Sequence, residues 1–201
     1  MATTTNTTKV VTGIVRLSYP SIWEPASING SAPKYRATLL IDKKDTKTLA
    51  EINAAIDAAI KAGLAKFGGK IPNKAQLKTP LRDGDEERDD EAYKGCYFIN
   101  ASSTSAPQIV DRSVQPILDR AEVYSGCYIR ASINFYAFNT NGNRGIACGL
   151  GNIQKVRDGE PLGGKTSAAV DFATDLDDDF LSYPNPGGGG QPLPPSFEEV
   201  A

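Results

Sequence analysis

The sequence predicts a mainly β fold: a small closed or partly open barrel with one amphipathic helix inserted early, long loops and a disordered acidic tail. Three observations carry that prediction. Residues 126–138 alternate with a period of two, and Cys127, Ile129, Ala131, Ile133, Phe135 and Ala137 make one side small or apolar. Asn141-Gly142 separates this run from another, Arg144 to Val156, and Asn-Gly between alternating runs marks a hairpin. From Leu49 to Phe67 the apolar residues recur instead every three or four positions, the period of a helix with one buried face. With 201 residues and 40% hydrophobic content the chain can bury one substantial core, so one domain with a tail is expected.

Residues 1–8 are Thr-rich and read as a flexible N-terminus. Lys9 to Tyr19 is β-branched and roughly alternating, a first strand that Pro20 and Pro25 bring to a close. A Gly/Ser/Pro loop leads to the second strand, KYRATLLID from Lys34, with Tyr35, Ala37, Leu39 and Ile41 on one face and Lys34, Arg36 and Thr38 on the other. The helix carries Leu49, Ile52, Ile56, Ile60, Leu64 and Phe67. Asp45 to Thr48 offer caps, Thr48 and Glu51 stand at capping-box spacing, and Gly68-Gly69 with Pro72 stop it. The polar run from Ile71 to Glu91 shows no period and reads as a long excursion from the body. Strands follow at Cys96 to Asn100, Gln108 to Asp111, Gly126 to Phe138 and Arg144 to Val156, a set that suits a barrel over residues 9–165. Residues 166–201 turn to Ala, Asp, Gly and Pro and cannot bury enough apolar surface to order themselves.

Charge divides the chain in the same place. Seven acids and no Lys or Arg fall in residues 166–201, so the body keeps all 22 basic groups against 17 of the 24 acids. Seven of those 17 crowd between Asp83 and Glu91, which concentrates the basic excess elsewhere on the body and argues for a polyanionic partner. Three cysteines in a chain of this size read as reduced thiols of a cytoplasmic protein, with Cys96 and Cys127 packed as small apolar groups. No run has the apolar core of a signal peptide or the length of a membrane span.

The polar side of the 126–138 strand is unusual for mere solvation. Tyr128, Arg130, Tyr136 and Phe138 share it with small hydrogen-bonding groups, a mixture that suits stacking of bases and contact with phosphate. Trp23, between two prolines, is equally hard to bury, and Lys34, Arg36, Arg112, Arg120 and Arg144 fall on strands and adjoining loops where a phosphate-tracking groove needs them. Core packing accounts for Phe67, Phe98 and Phe135, and ion pairing is the plain alternative for each arginine taken alone.

Gly159 to Thr166 fits the G-x-x-x-x-G-K-T pattern of nucleotide hydrolases, with Lys165 and Thr166 in the phosphate and magnesium positions. That loop must join a buried parallel strand to a helix, whereas this one contains Pro161 and leads from the last strand toward the tail. A flexible exit loop is the better reading. The acidic run from Leu81 to Glu91 lacks the alternation of a calcium loop, and the chain has no histidine and no nucleophile elbow. No catalytic residue, metal or cofactor is therefore expected. The alternatives are a nucleotide hydrolase using the Gly159 to Thr166 loop, or a virion or scaffold protein whose aromatics form a protein interface.

The blocks PKYRATLLIDK, PLRDGDE, YKGCYFINAS, YSGCYIRASINFYAFN and NRGIACGLGNIQKVRDGEPLGG, in that order, resemble a family of bacteriophage single-stranded-DNA-binding proteins first catalogued as a domain of unknown function. The resemblance runs from about Lys9 to Phe172. It implies an OB-like Greek-key barrel, binding of single-stranded DNA in phage replication or recombination within the host cytoplasm, and no catalysis or cofactor. The tail resembles in kind the acidic ends of replication proteins of this type. Asp175, Asp177, Asp178 and Asp179 flank Phe180, and Phe197 precedes Glu198 and Glu199, although Val200 and Ala201 follow. Through it the resemblance implies replication or recombination partners. A homo-oligomer stays open.

Overall fold

The computed structural model describes residues 7–163. The chain divides into units Met1–Lys165 and Thr166–Ala201, and the second, with every tail residue named above, lies outside the described residues.

Among the described residues eight strands form one sheet that closes on itself. They are β1 (Lys9–Val11), β2 (Val15–Ala26), β3 (Lys34–Asp42), β4 (Leu81–Asp83), β5 (Cys96–Ser103), β6 (Ile109–Val110), β7 (Tyr128–Thr140) and β8 (Asn143–Arg157). β2 pairs β3, β3 pairs β5, β5 meets β8 in parallel, β8 pairs β7, and β7 returns to β2. This circuit is an OB-like barrel. β1 extends the β2 side of it along β7, and β6 extends the β5 side along β8.

The period-two reading of residues 126–138 describes β7 closely: Ile129, Ala131, Ile133, Phe135 and Ala137 are all buried in the main core. Ala37, Leu39 and Ile41 of β3 point the same way, and Asn141 and Gly142 take the left-handed conformations of the hairpin turn, at φ of 51° and 80°.

The first strand departs from expectation in two ways. It is one run interrupted at Thr12 to Ile14, because β1 and β2 pair the same edge of β7 with a one-residue offset in register (Val11 opposite Ser132, Val15 opposite Ile129). The break is anchored, since the Gly13 N–H donates to Thr48 Oγ1 (3.0 Å) and the Arg130 Nε to Thr12 O (3.1 Å). Nor do Pro20 and Pro25 end the strand. β2 runs to Ala26, its pairing with β3 irregular between Ser18 and Ser21 and again before Ala26, and both prolines fall in these irregular stretches, where a missing N–H breaks no ladder bond. Thr8, expected to be loose, accepts from the Phe135 N–H.

The helix α1 (Thr46–Ala62) buries Ile52, Ile56 and Ile60 against the barrel. Its cap is Asp45, whose Oδ1 accepts the Thr48 N–H at 3.1 Å, while Thr48 is turned to Gly13 instead of serving a capping box. The helix stops at Gly63, earlier than Gly68-Gly69. A Cβ at Gly63 would lie 2.1 Å from Cβ of Ala137, so only glycine lets the helix end approach β7. Leu64–Phe67 continue as a 3-10 turn that Gly68 closes in the left-handed conformation.

The run from Ile71 to Glu91 is not an excursion. It returns as β4 on the edge of β5, then a short helical turn α2 (Gly84–Glu87) and a 3-10 turn (Glu91–Tyr93). Leu40 and Phe98, which point out of the barrel, are covered by Tyr93 in a second small core, its ring edge-on to Phe98 with centroids 5.3 Å apart. The acidic stretch is thus the hydrophilic outside of a packed arm.

Candidate nucleic-acid interface

Strand register assembles an open groove of about 500 Å³ on the outer face of β2, β3 and β5. Arg36 and Thr38 of β3 stand opposite Ser102 and Asn100 of β5, and opposite Ser21 and Ser18 of β2. Because alternate residues of a strand share a face, these polar groups form one floor, where Thr38 Oγ1 donates to Asn100 Oδ1 at 2.8 Å. Tyr19 and Ile28, and from the arm Arg88 and Tyr93, complete its lining. Tyr19 is 60% exposed, and Tyr93 is buried with its hydroxyl 3.3 Å from Ser18 Oγ.

The charged residues that line the groove, Arg36 and Arg88, are both cationic, although the arm beside it is rich in acids. Arg82 pairs with Glu87, and Lys43 binds Asp83 and Asp85, both at 2.7 Å. Those two carboxylates hold the Lys43 ammonium charged beyond its ordinary range, while Lys43 and then the Gly95 N–H keep Asp85 below its own. Arg36 and Arg88 have no carboxylate partner among the described residues. The Arg88 guanidinium instead lies over Tyr93 and Phe98, 5.6 and 5.1 Å from their centroids, which orients the cation without neutralising it.

The predicted site residues divide among several places. Only Arg36 lines this groove, with Lys34 at the start of the same strand. Tyr136, 43% exposed, and half-buried Phe138 lie on the outer face of β7, near Arg144 of the β7–β8 hairpin. Arg130 and Lys9 border a separate depression across β1, β7 and β8, and Arg112 is exposed in the loop after β6. Three of the predicted residues have other contacts in the structure. Trp23 is within β2 and not in a loop, and it packs half-buried on the main core with its indole N–H buried. Tyr128 is already engaged, with the Arg157 guanidinium 3.7 Å and that of Arg16 5.8 Å from its centroid. Arg120 is exposed but paired with Glu24 at 2.7 Å.

Sequence reading missed Tyr19, Arg88, Asn100 and Ser102. The alternation of Asn100 and Ser102 with buried Ile99 and Ala101 was the available signal for the last two.

Gly159 to Gly163, the described part of the nucleotide-loop pattern, form an anchored strap and not a flexible exit. The Tyr124 hydroxyl donates to Gly159 O (2.9 Å), Arg16 Nη2 to Glu160 O (2.6 Å) and the Leu162 N–H to Ser125 O (2.9 Å). Of the backbone N–H groups that a phosphate loop would present, that of Leu162 is thus already donated, and that of Gly159 goes to the Tyr124 hydroxyl at 3.2 Å. Gly164, Lys165 and Thr166 lie outside the described residues. The three cysteines are free. Burial pushes the Cys148 thiol up to about 12 and raises Cys127 and Cys96 as well, so none is an activated nucleophile. Among the described residues no cluster of His, Cys, Asp and Glu could hold a metal, and no helix is long and apolar enough to cross a membrane.

A closed barrel of five strand lines with an open polar groove over three of them, β2, β3 and β5, is the architecture of OB-like binding proteins. The chain belongs to the family described as the Enterobacter phage Enc34 ssDNA-binding protein, whose model matches residues 8–181. A protein named p50 from Acyrthosiphon pisum secondary endosymbiont phage 1 is 35% identical over 175 residues, covering 84% of this chain and 94% of its own. The Single-stranded DNA-binding protein from bacteriophage Enc34, solved in complex with ssDNA, superposes with a TM-score of 0.64 at 25% identity, covering 78% of this chain and 90% of that one. A second structure of the same phage protein gives a TM-score of 0.66 at 22% identity, covering 83% of this chain and 90% of that one.

Proposed function

We propose that this protein binds single-stranded DNA, without sequence preference and without catalysis, through the groove over β2, β3 and β5. The observation that carries the reading is the juxtaposition of an exposed ring, Tyr19, with two arginines lacking carboxylate partners, Arg36 and Arg88, in one open groove. Family membership and the ssDNA complex of the Enc34 protein support it. Arg36 and Arg88 take phosphates, Tyr19 stacks on a base, and the Ser102 hydroxyl and the amide N–H groups of Asn100, whose Oδ1 is held by Thr38, supply hydrogen bonds that any nucleotide can accept. Tyr136, Phe138 and Arg144 on the outer face of the β7–β8 hairpin extend the path of the strand, and Lys34 lengthens the cationic track. The protein acts in phage DNA replication or recombination in the host cytoplasm.

Exchanging rings tests the groove. Tyr19→Ala should lose about 1–3 kcal/mol of ssDNA binding with the melting temperature unchanged, because the ring is mostly in solvent. Undiminished binding by Tyr19→Ala, with a loss confined to Tyr136→Ala, would move the platform to β7.

The acidic residues 166–201 act on the same site as a tethered competitor, seven carboxylates against a body of opposite sign. Phe180 and Phe197, set among Asp175, Asp177, Asp178, Asp179, Glu198 and Glu199, serve partner proteins of the replication or recombination machinery. Truncation after Ala169 is expected to raise ssDNA affinity, most at low salt; unchanged affinity there would remove the competition from the account.

A further inference from the structure

The exposed ring of the groove depends on a residue outside it. Tyr19 sits in the β2 irregularity between Ser18 and Ser21 with φ of +43°, a left-handed conformation in which a tyrosine needs outside support. Pro20 follows and has no N–H. The Tyr19 N–H itself leaves the β2–β3 ladder and donates to Ser125 Oγ at 3.2 Å.

Ser125 is held in turn by the strap that follows β8. Its carbonyl accepts the Leu162 N–H at 2.9 Å, and the Tyr124 hydroxyl receives the Gly159 N–H at 3.2 Å. On the other side the Gly126 N–H donates to Leu17 O at 2.7 Å, which ties the turn to β2 two residues before Tyr19. Arg16 joins the two segments, with Nε on Gly126 O (3.2 Å) and Nη2 on Glu160 O (2.6 Å). The fit is close enough to require glycine at position 126, where φ is +115° and a Cβ would fall 2.2 Å from Glu160 O.

We infer that Ser125 is a positioning residue for DNA binding: its Oγ holds the Tyr19 backbone in the left-handed bulge that turns the ring into the groove, and the Gly159 to Leu162 strap holds Ser125. The inference rests on the reading of Tyr19 as a groove residue. Its functional meaning is that the segment leading out of the barrel sets the geometry of the ring without touching DNA.

A double-mutant cycle separates positioning from general structural support. Ser125→Ala is expected to weaken ssDNA binding about two- to tenfold, the scale of one hydrogen bond, and to speed exchange of the Tyr19 amide, while Ser125→Thr, which keeps the Oγ, retains binding. In a Tyr19→Ala background Ser125→Ala should cause no further loss. The same loss in both backgrounds, or no loss in either, overturns the inference while leaving the groove intact. If Tyr19→Ala alone leaves binding unchanged, the groove reading itself has failed, and the positioning role falls with it.

Discussion

Phe98→Ala is expected to destabilise the protein by about 3–5 kcal/mol, the scale for deleting a buried aromatic ring. Phe98 is fully buried, yet it points out of the barrel, and its removal empties the second core between Leu40 and Tyr93. Two guanidiniums lose their platform at once, since Arg82 and Arg88 lie 5.0 and 5.1 Å from that ring's centroid. The arm carrying residues 81–95 should therefore detach before the barrel melts, read as faster amide exchange in the arm than in β7. Phe98→Leu, which keeps most of the volume, should recover most of the stability and separate packing from the loss of the aromatic face. Equal exchange in arm and barrel would show that the arm is held by its ion pairs instead.

The second large effect concerns affinity. Arg36→Ala and Arg88→Ala should each cost about 1.5–3 kcal/mol of ssDNA binding, the range for a hydrogen bond to a charged group, and should do so for all sequences alike. Arg36 stands on a rigid strand and Arg88 on aromatic rings, so both cations are oriented before DNA arrives. The paired arginine Arg120 provides the contrast, because its partner Glu24 already compensates its charge, and Arg120→Ala should change affinity little. A loss at Arg120 equal to that at Arg36 would mean that the strand runs elsewhere on the barrel.

These expectations show which parts of the molecule were legible in the sequence. The faces of β3 and β7, the helix and the Asn141-Gly142 turn depend on neighbours a few residues apart, and there the alternation of Ile129 to Ala137 and the spacing of Ile52, Ile56 and Ile60 carry the whole signal. The groove depends on register. Arg36 meets Ser102 and Ser21 only because three strands align, and nothing local marks that alignment. Tyr19 was hidden by Pro20, which reads as the end of a strand unless a bulge absorbs it. Arg88 was hidden inside seven acids, and its role follows from Tyr93 and Phe98 lying beneath it, a packing that the polar composition of the arm conceals. The same composition made a packed arm look like an excursion, since Tyr93 alone supplies its buried ring.

The central claim, an electrostatic groove for a single strand, is tested most directly by titrating single-stranded oligonucleotides over a range of salt concentrations. Saturable binding should weaken as salt rises, with log K falling against log[salt] by about 0.7 for each phosphate neutralised, and the slope should become shallower in Arg36→Ala and Arg88→Ala by about that amount apiece. Binding that does not respond to salt, or a slope unchanged in both variants, would contradict it.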